Sequence, residues 1–143
     1  MNNSMKLEFL AISENEGFAR STLSAFVSQL NPTLDEIEDI KTAVSEAVTN
    51  IVVHAYGDKT GTVYITCELH NDTAVITIKD TGCGIENIEL ARTPLYTASC
   101  DSERSGLGFT VMETFMDDVT VKSEIGNGTT VTLTKRVGSR KEV

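Results

Sequence analysis

The sequence predicts an α/β fold, a two-layer sandwich in which helices cover one face of a mixed, mostly antiparallel sheet. Three observations predict it. Alternating apolar residues come in paired runs joined by short turn sequences, the pattern of hairpins that bury one face. Two segments with helical apolar spacing each open on a capping-box pattern, Ser13 with Glu16 and Thr33 with Glu36. The order is strand, two helices, hairpin, loop, helix, hairpin, with no internal repeat and no domain boundary.

Met5 to Ile12 sets Leu7, Phe9 and Ala11 against Lys6, Glu8 and Leu10, which reads as a strand. After Ser13, residues Phe18, Leu23, Phe26, Val27 and Leu30 recur at helical spacing, and Asn31-Pro32 ends that helix. The next helix runs from Thr33 to about Tyr56, where Gly57 stops it. Val63, Ile65, Cys67 and Leu69 then alternate with polar residues. His70-Asn71-Asp72 is turn chemistry, and Ala74, Ile76 and Ile78 make the return strand. From Gly82 to Gly106 periodicity weakens, and a connection this long inside a compact domain is usually a lid or binding loop. A short helix from about Gly108 to Phe115 follows. Val119 to Glu124 and Thr130 to Lys135 form the last hairpin about Gly126-Asn127-Gly128, and Gly138 to Val143 reads as a short tail.

The chain has 143 residues, with 12 Lys and Arg against 21 Asp and Glu, a formal charge of −9. That length suits one domain. The acidic balance argues against direct binding of nucleic acid or an anionic membrane, both of which reward positive charge. No apolar run approaches the roughly 20 residues of a membrane helix. The cysteines Cys67, Cys83 and Cys100 form an odd set without CxxC spacing, which fits a reducing, cytoplasmic setting better than a disulfide scaffold. Two histidines beside three cysteines without CxxC spacing are too few to suggest zinc.

Four local patterns carry chemistry. Glu46 and Asn50 are four apart on the second helix, so they share a face roughly 6 Å apart along the axis. Alone, the pair reads as the polar side of an amphipathic helix whose core stripe is Ile37, Ile40, Val44, Ala47, Val48 and Ile51, and it becomes informative only when other motifs point at it. Asp80-Thr81-Gly82-Cys83-Gly84 follows a strand. Its glycines let backbone approach a ligand, and its carboxylate offers an acceptor to an exocyclic amine such as adenine's. A tight turn with an Asx hydrogen bond would use the same residues. Ser105-Gly106-Leu107-Gly108 opens a helix whose bared N–H groups and dipole favour anions, with Arg104 beside it to meet a terminal phosphate. Neither GxxxxGK[ST] nor GxGxxG is present, so this is not a P-loop or Rossmann device. Gly128-Thr129-Thr130 closes the last hairpin, from which Thr130 could reach a bound base.

Together and in this order, Glu46-x-x-x-Asn50, Asp80-x-Gly82-x-Gly84, Gly106-Leu107-Gly108 and Gly128-Thr129-Thr130 resemble the ATP-binding superfamily of gyrase, Hsp90, histidine kinases and MutL. The stretches EAVTNIVVHAY (46–56), ERSGLGFTVMETFMDDV (103–119) and GNGTTVTLTK (126–135) resemble, within it, the sporulation anti-sigma factors of spore-forming Firmicutes, which are serine/threonine protein kinases. The resemblance covers nearly the whole chain. It implies a Bergerat-type ATP-binding fold over residues 1–143 as one kinase domain, with an ATP lid at about 86–105.

By that resemblance Asn50 is the ligand of magnesium (Mg2+) and Glu46 the general base that accepts the proton of a substrate serine. Asp80 holds the adenine amine, Gly82 and Gly84 shape the pocket floor, and Thr130 lies near the base. Arg104, Ser105, Gly106, Leu107 and Gly108 surround the phosphates, and Arg20 resembles a partner-contacting arginine. The implied cofactors are ATP and Mg2+. The implied partners are an RNA-polymerase sigma factor, held inactive, and an anti-anti-sigma protein phosphorylated on serine, with a homodimer as the assembly. A related stress-response anti-sigma kinase is one alternative. A nucleotide-dependent protein-binding module without turnover is the other.

Overall fold

The computed structural model describes residues 2–85, 97–98 and 104–138, with the backbone alone at 97–98 and 104–107. The first strand, β1, spans Asn2–Leu10, and helix α1 spans Glu14–Val27, followed by a 3-10 turn at Ser28–Leu30. The Ser13 capping box does not form. Ser13 already has helical backbone angles (φ −60°, ψ −30°), and its hydroxyl donates to Oε1 of Glu14 instead. A residue caps a helix only while its own backbone stays extended.

The second box does form. Thr33 has φ −70° and ψ 164°, its Oγ1 accepts the Glu36 N–H (3.1 Å), and Glu36 Oε1 accepts the Thr33 N–H (2.8 Å). Helix α2, Leu34–Asn50, grows from this cap. Glu36 Oε1 also accepts the Gly138 N–H, so the start of the tail is tied to α2. Burial would raise the Glu36 carboxyl, but these bonds and nearby Lys135 outweigh it and hold the group below its ordinary range.

The helix expected to run unbroken to Tyr56 is α-helical only to Asn50. It continues as a π-helical turn, Ile51–Ala55, and the chain reverses at Gly57, where φ is +61°. Strands β2 (Thr62–His70) and β3 (Thr73–Lys79) form a hairpin with Asn71-Asp72 at its tip. Arg136 closes an ion pair onto Asp72 at that tip, and its hydrogen bond holds the Asp72 carboxyl low. Two-residue strands β4 (Thr97–Ala98) and β5 (Arg104–Ser105) pair with each other. Helix α3, Gly106–Phe115, begins two residues earlier than its sequence pattern suggests. Strands β6 (Asp118–Glu124) and β7 (Gly128–Arg136) complete the main sheet.

The sheet order is β1-β2-β3-β7-β6, and every pairing in it is antiparallel. The mixed sheet expected from sequence is therefore corrected. Its strands come as two hairpins plus an edge strand, so none needs a parallel crossover. Alternation buries Val63, Ile65, Cys67 and Leu69 of β2 under the helices, against Leu23 of α1, Val44 of α2 and Phe109 of α3. Burial, followed by the charge of Glu68, pushes the Cys67 thiol up to about 12, so it behaves as a small core residue. No described helix is long and apolar enough to cross a membrane.

Candidate functional site

The π-helical turn sets up the site. A wider turn leaves the Ala55 carbonyl to accept from outside the helix, and it takes the Cys83 N–H at 2.8 Å. A Cβ on Gly82 would lie 2.0 Å from that same carbonyl oxygen, so only glycine fits. Tyr56 adds a second tie. Its ring covers Gly61, and its hydroxyl accepts the Thr81 N–H (2.9 Å) while donating to the Thr62 carbonyl. The π-helical turn and Tyr56 after it thus fix the loop that carries Asp80.

Asp80 is buried, 2% exposed. Its Oδ1 accepts the Gly82 N–H at 2.9 Å and the Thr129 N–H at 3.3 Å, while its own N–H donates to the Thr129 carbonyl. These bonds hold a carboxylate in one orientation at the end of β3. Two glycines with positive φ close the surrounding wall. Gly84 (φ +79°) presses on the Glu124 carbonyl, and Gly128 (φ +103°) presses on the Asp80 carbonyl.

Asn50 and the start of α3 meet on the other side. Asn50 is 8% exposed, and its Nδ2 has no hydrogen-bond partner. A Cβ on Gly108 would stand 2.9 Å from Nδ2 and 3.2 Å from Oδ1 of Asn50. The glycine therefore opens space for the amide where the first turn of a ten-residue helix carries its free N–H groups. A buried amide left without a partner is costly unless a ligand completes it. The orphaned Nδ2 is a donor and suits a phosphate oxygen, while Oδ1 of the same amide suits magnesium, which keeps several waters and takes only one or two protein oxygens beside substrate phosphates. The described residues contain no group of three or more His, Cys, Asp or Glu that would hold a metal by themselves.

Glu46 lies one turn before Asn50 and is half-buried. It lines a cavity of about 170 Å³ with Arg20, Glu38, Lys41, Thr42 and Ser45. Arg20 reaches it from α1, where Glu16 pairs with the guanidinium at 3.5 Å. The residue singled out as a partner contact and the candidate base thus share one surface.

The structure brings Glu46, Asn50, Asp80, Gly82, Gly84 and Gly108 onto the elements expected of them, and Gly106 begins α3. The side chains of Arg104, Ser105 and Leu107 lie outside the described residues, as does most of the 86–105 lid segment. Thr130 pairs with Lys79 and Lys122 on the face away from the helices, where these residues and Asp80 border a cavity of about 240 Å³. The threonine that bonds the Asp80 carboxylate is Thr129, 4% exposed. A strand's side chains alternate, so an offset of one residue changes the face.

Sequence reading also missed Tyr56 and Ser123. The signal for Ser123 was a polar residue in the inward row begun by Val119 and Val121, directly opposite Thr129.

The described residues form a helix-covered antiparallel sheet, and comparison with known proteins gives that class of fold a name. The histidine kinase-like ATPase domain family matches residues 11–135. A solved structure of the RsbU and RsbW domains of Rv1364c from Mycobacterium tuberculosis superposes with a TM-score of 0.69 at 19% identity. It covers 94% of this chain, which spans only 32% of that protein, so the likeness concerns the fold. The anti-sigma F factor of Geobacillus sp. (strain WCH70) is 54% identical over 99% of this chain and 97% of its own length. That of Clostridium perfringens (strain SM101 / Type A) is 55% identical over 97% of this chain and its own full length. The chain belongs to the anti-sigma F factors, within the histidine kinase-like ATPase family.

Proposed function

We propose that this chain is an ATP-dependent serine protein kinase that also holds an RNA-polymerase sigma factor inactive, and that an anti-anti-sigma protein is its phosphorylation substrate. One observation carries the enzymatic half. Glu46 and the unpartnered amide of Asn50 lie one turn apart on α2, and Asn50 faces the N-terminus of α3 across Gly108. A pure nucleotide binder needs the second group and not the first.

Asp80 and Thr129 receive the adenine end, with Thr129 taking the place first given to Thr130. The phosphates lie along the first turn of α3, where backbone N–H groups and the helix dipole substitute for a lysine cluster on a chain of charge −9. Asn50 Oδ1 holds magnesium, which when bound neutralises charge on the phosphate oxygens. Glu46 accepts the proton of the substrate serine as its oxygen takes the γ-phosphoryl group of ATP, and ADP leaves. Little covalent chemistry is asked of the protein, so positioning the serine in line accounts for most of the acceleration.

The cavity shared by Glu46 and Arg20 supports a substrate that is itself a protein, delivered over α1. Exposed Leu10, Ile12 and Phe18 at the β1–α1 corner add apolar area for partners, including a second copy of the chain. The test is incubation with γ-labelled ATP, magnesium and the anti-anti-sigma protein. Label on serine supports the kinase. Bound nucleotide without transfer would favour a binding module that uses ATP only to shape its surface.

A further inference from the structure

Three contacts converge on the hydroxyl of Ser123. The Ile85 N–H donates to Oγ at 2.7 Å, the Gly128 carbonyl oxygen lies 3.1 Å away, and Oγ1 of Thr129 lies 2.8 Å away. A serine hydroxyl has one hydrogen and two lone pairs. The Ile85 N–H fills one lone pair, and the Gly128 carbonyl, which can only accept, takes the hydrogen. Thr129 must then donate into the remaining lone pair. All three contacts are satisfied together in this way and in no other.

The consequence falls on Thr129. Its one proton is committed to Ser123, so it offers a ligand lone pairs only. Beside it across the strand pair, the Asp80 carboxylate is held by the Thr129 and Gly82 N–H groups and is also an acceptor. Two neighbouring acceptors favour a ligand edge that donates. A 6-amino purine presents an amine there, directly or through a water, whereas a 6-oxo purine presents another acceptor.

We propose that Ser123 is a positioning residue which, by holding the Thr129 proton, makes the base pocket select adenine over guanine. Ser123 acts through Thr129. The inference rests on the nucleotide reading given above.

The experiment measures the affinities of the full chain for ATP and for GTP, in magnesium, together with the melting temperature of each variant. In Ser123→Ala, Thr129 is free to turn its proton outward, and the ratio of ATP to GTP affinity falls on the order of tenfold, the effect of one mispaired buried polar group. Ser123→Thr keeps the hydroxyl on a β-branched strand residue and keeps the ratio. Thr129→Val removes the acceptor while preserving shape, and its ratio falls as in Ser123→Ala. This second variant decides the matter if Ser123→Ala fails to fold. Equal losses for both nucleotides in Ser123→Ala, or an unchanged ratio in Thr129→Val, would overturn the proposal by reducing Ser123 to a structural tie. Failure of the unaltered chain to bind either nucleotide would overturn the nucleotide reading itself, and the inference with it, before any variant is compared.

Discussion

A side chain on Gly108 would place its first carbon 2.9 Å from Nδ2 of Asn50, so the α3 backbone and the α2 amide occupy their positions only because that carbon is missing. Asn50 ends a side chain and can swing away, whereas α3 gains from losing a glycine. Gly108→Ala is therefore expected to leave stability within about 1 kcal/mol of the unaltered chain. It should weaken magnesium-dependent ATP binding at least on the order of tenfold, about the loss of one charge-assisted contact. Titration of nucleotide with and without magnesium checks this, and Asn50→Ala should give the same pattern. Metal-dependent binding that survives both changes would remove Asn50 as the ligand.

Gly82 presents the opposite case. The atoms its Cβ would strike are the carbonyl oxygen and carbon of Ala55, which are backbone and cannot rotate aside. Gly82→Ala should destabilise the fold by about 1–3 kcal/mol, the usual cost of overpacking. The midpoint of chemical denaturation reads it directly.

Tyr56→Phe tests the tie between the end of α2 and the Asp80 loop. The variant keeps the ring over Gly61 but deprives the Thr62 carbonyl and the Thr81 N–H of their shared partner. A loss of about 1 kcal/mol is expected, since solvent can reach Thr81. ATP affinity should fall with it as the loop loosens. Unchanged affinity at lowered stability would show that the loop holds its shape without Tyr56.

The Glu36 carboxyl predicts a pH dependence. Its folded pKa lies below the ordinary 4.5, so the unfolded chain binds the proton more readily. The stabilisation is fully present above that value and is lost as pH falls through the lower folded pKa. Glu36→Gln should be less stable than the unaltered chain at pH 7, with the gap closing at pH values below 4.5. Glu36 is only partly buried, so the difference will be small. Melting temperatures of the pair across an acid series measure it, and a gap that widens toward acid would contradict the assignment.

What could be read in the sequence was what neighbouring residues decide among themselves. Thr33 and Glu36 satisfy each other within one turn, and Asn71-Asp72 makes a hairpin turn without outside help. The same pattern at Ser13 failed because capping depends on the backbone angle at which the chain arrives from β1. The candidate site was legible where glycines mark close approach, at Gly82, Gly84 and Gly108. Strand register was not legible in the sequence. Thr129 and Thr130 are chemically alike, and only pairing of Lys79 with Thr130 puts Thr129 beside Asp80. Ser123 and Tyr56 escaped because each has one partner far away in sequence, 38 and 25 residues off. The π-helical turn carries no local signature, although Gly82 bears its imprint.

The central claim is that Glu46 serves transfer and not binding. The most direct measurement compares Glu46→Gln with the unaltered chain for ATP affinity and for label transferred from γ-labelled ATP to the serine of the anti-anti-sigma protein. Loss of a general base predicts transfer reduced about 10²- to 10⁴-fold with nucleotide affinity nearly intact. Equal losses of affinity and transfer, or full transfer by the variant, would contradict it.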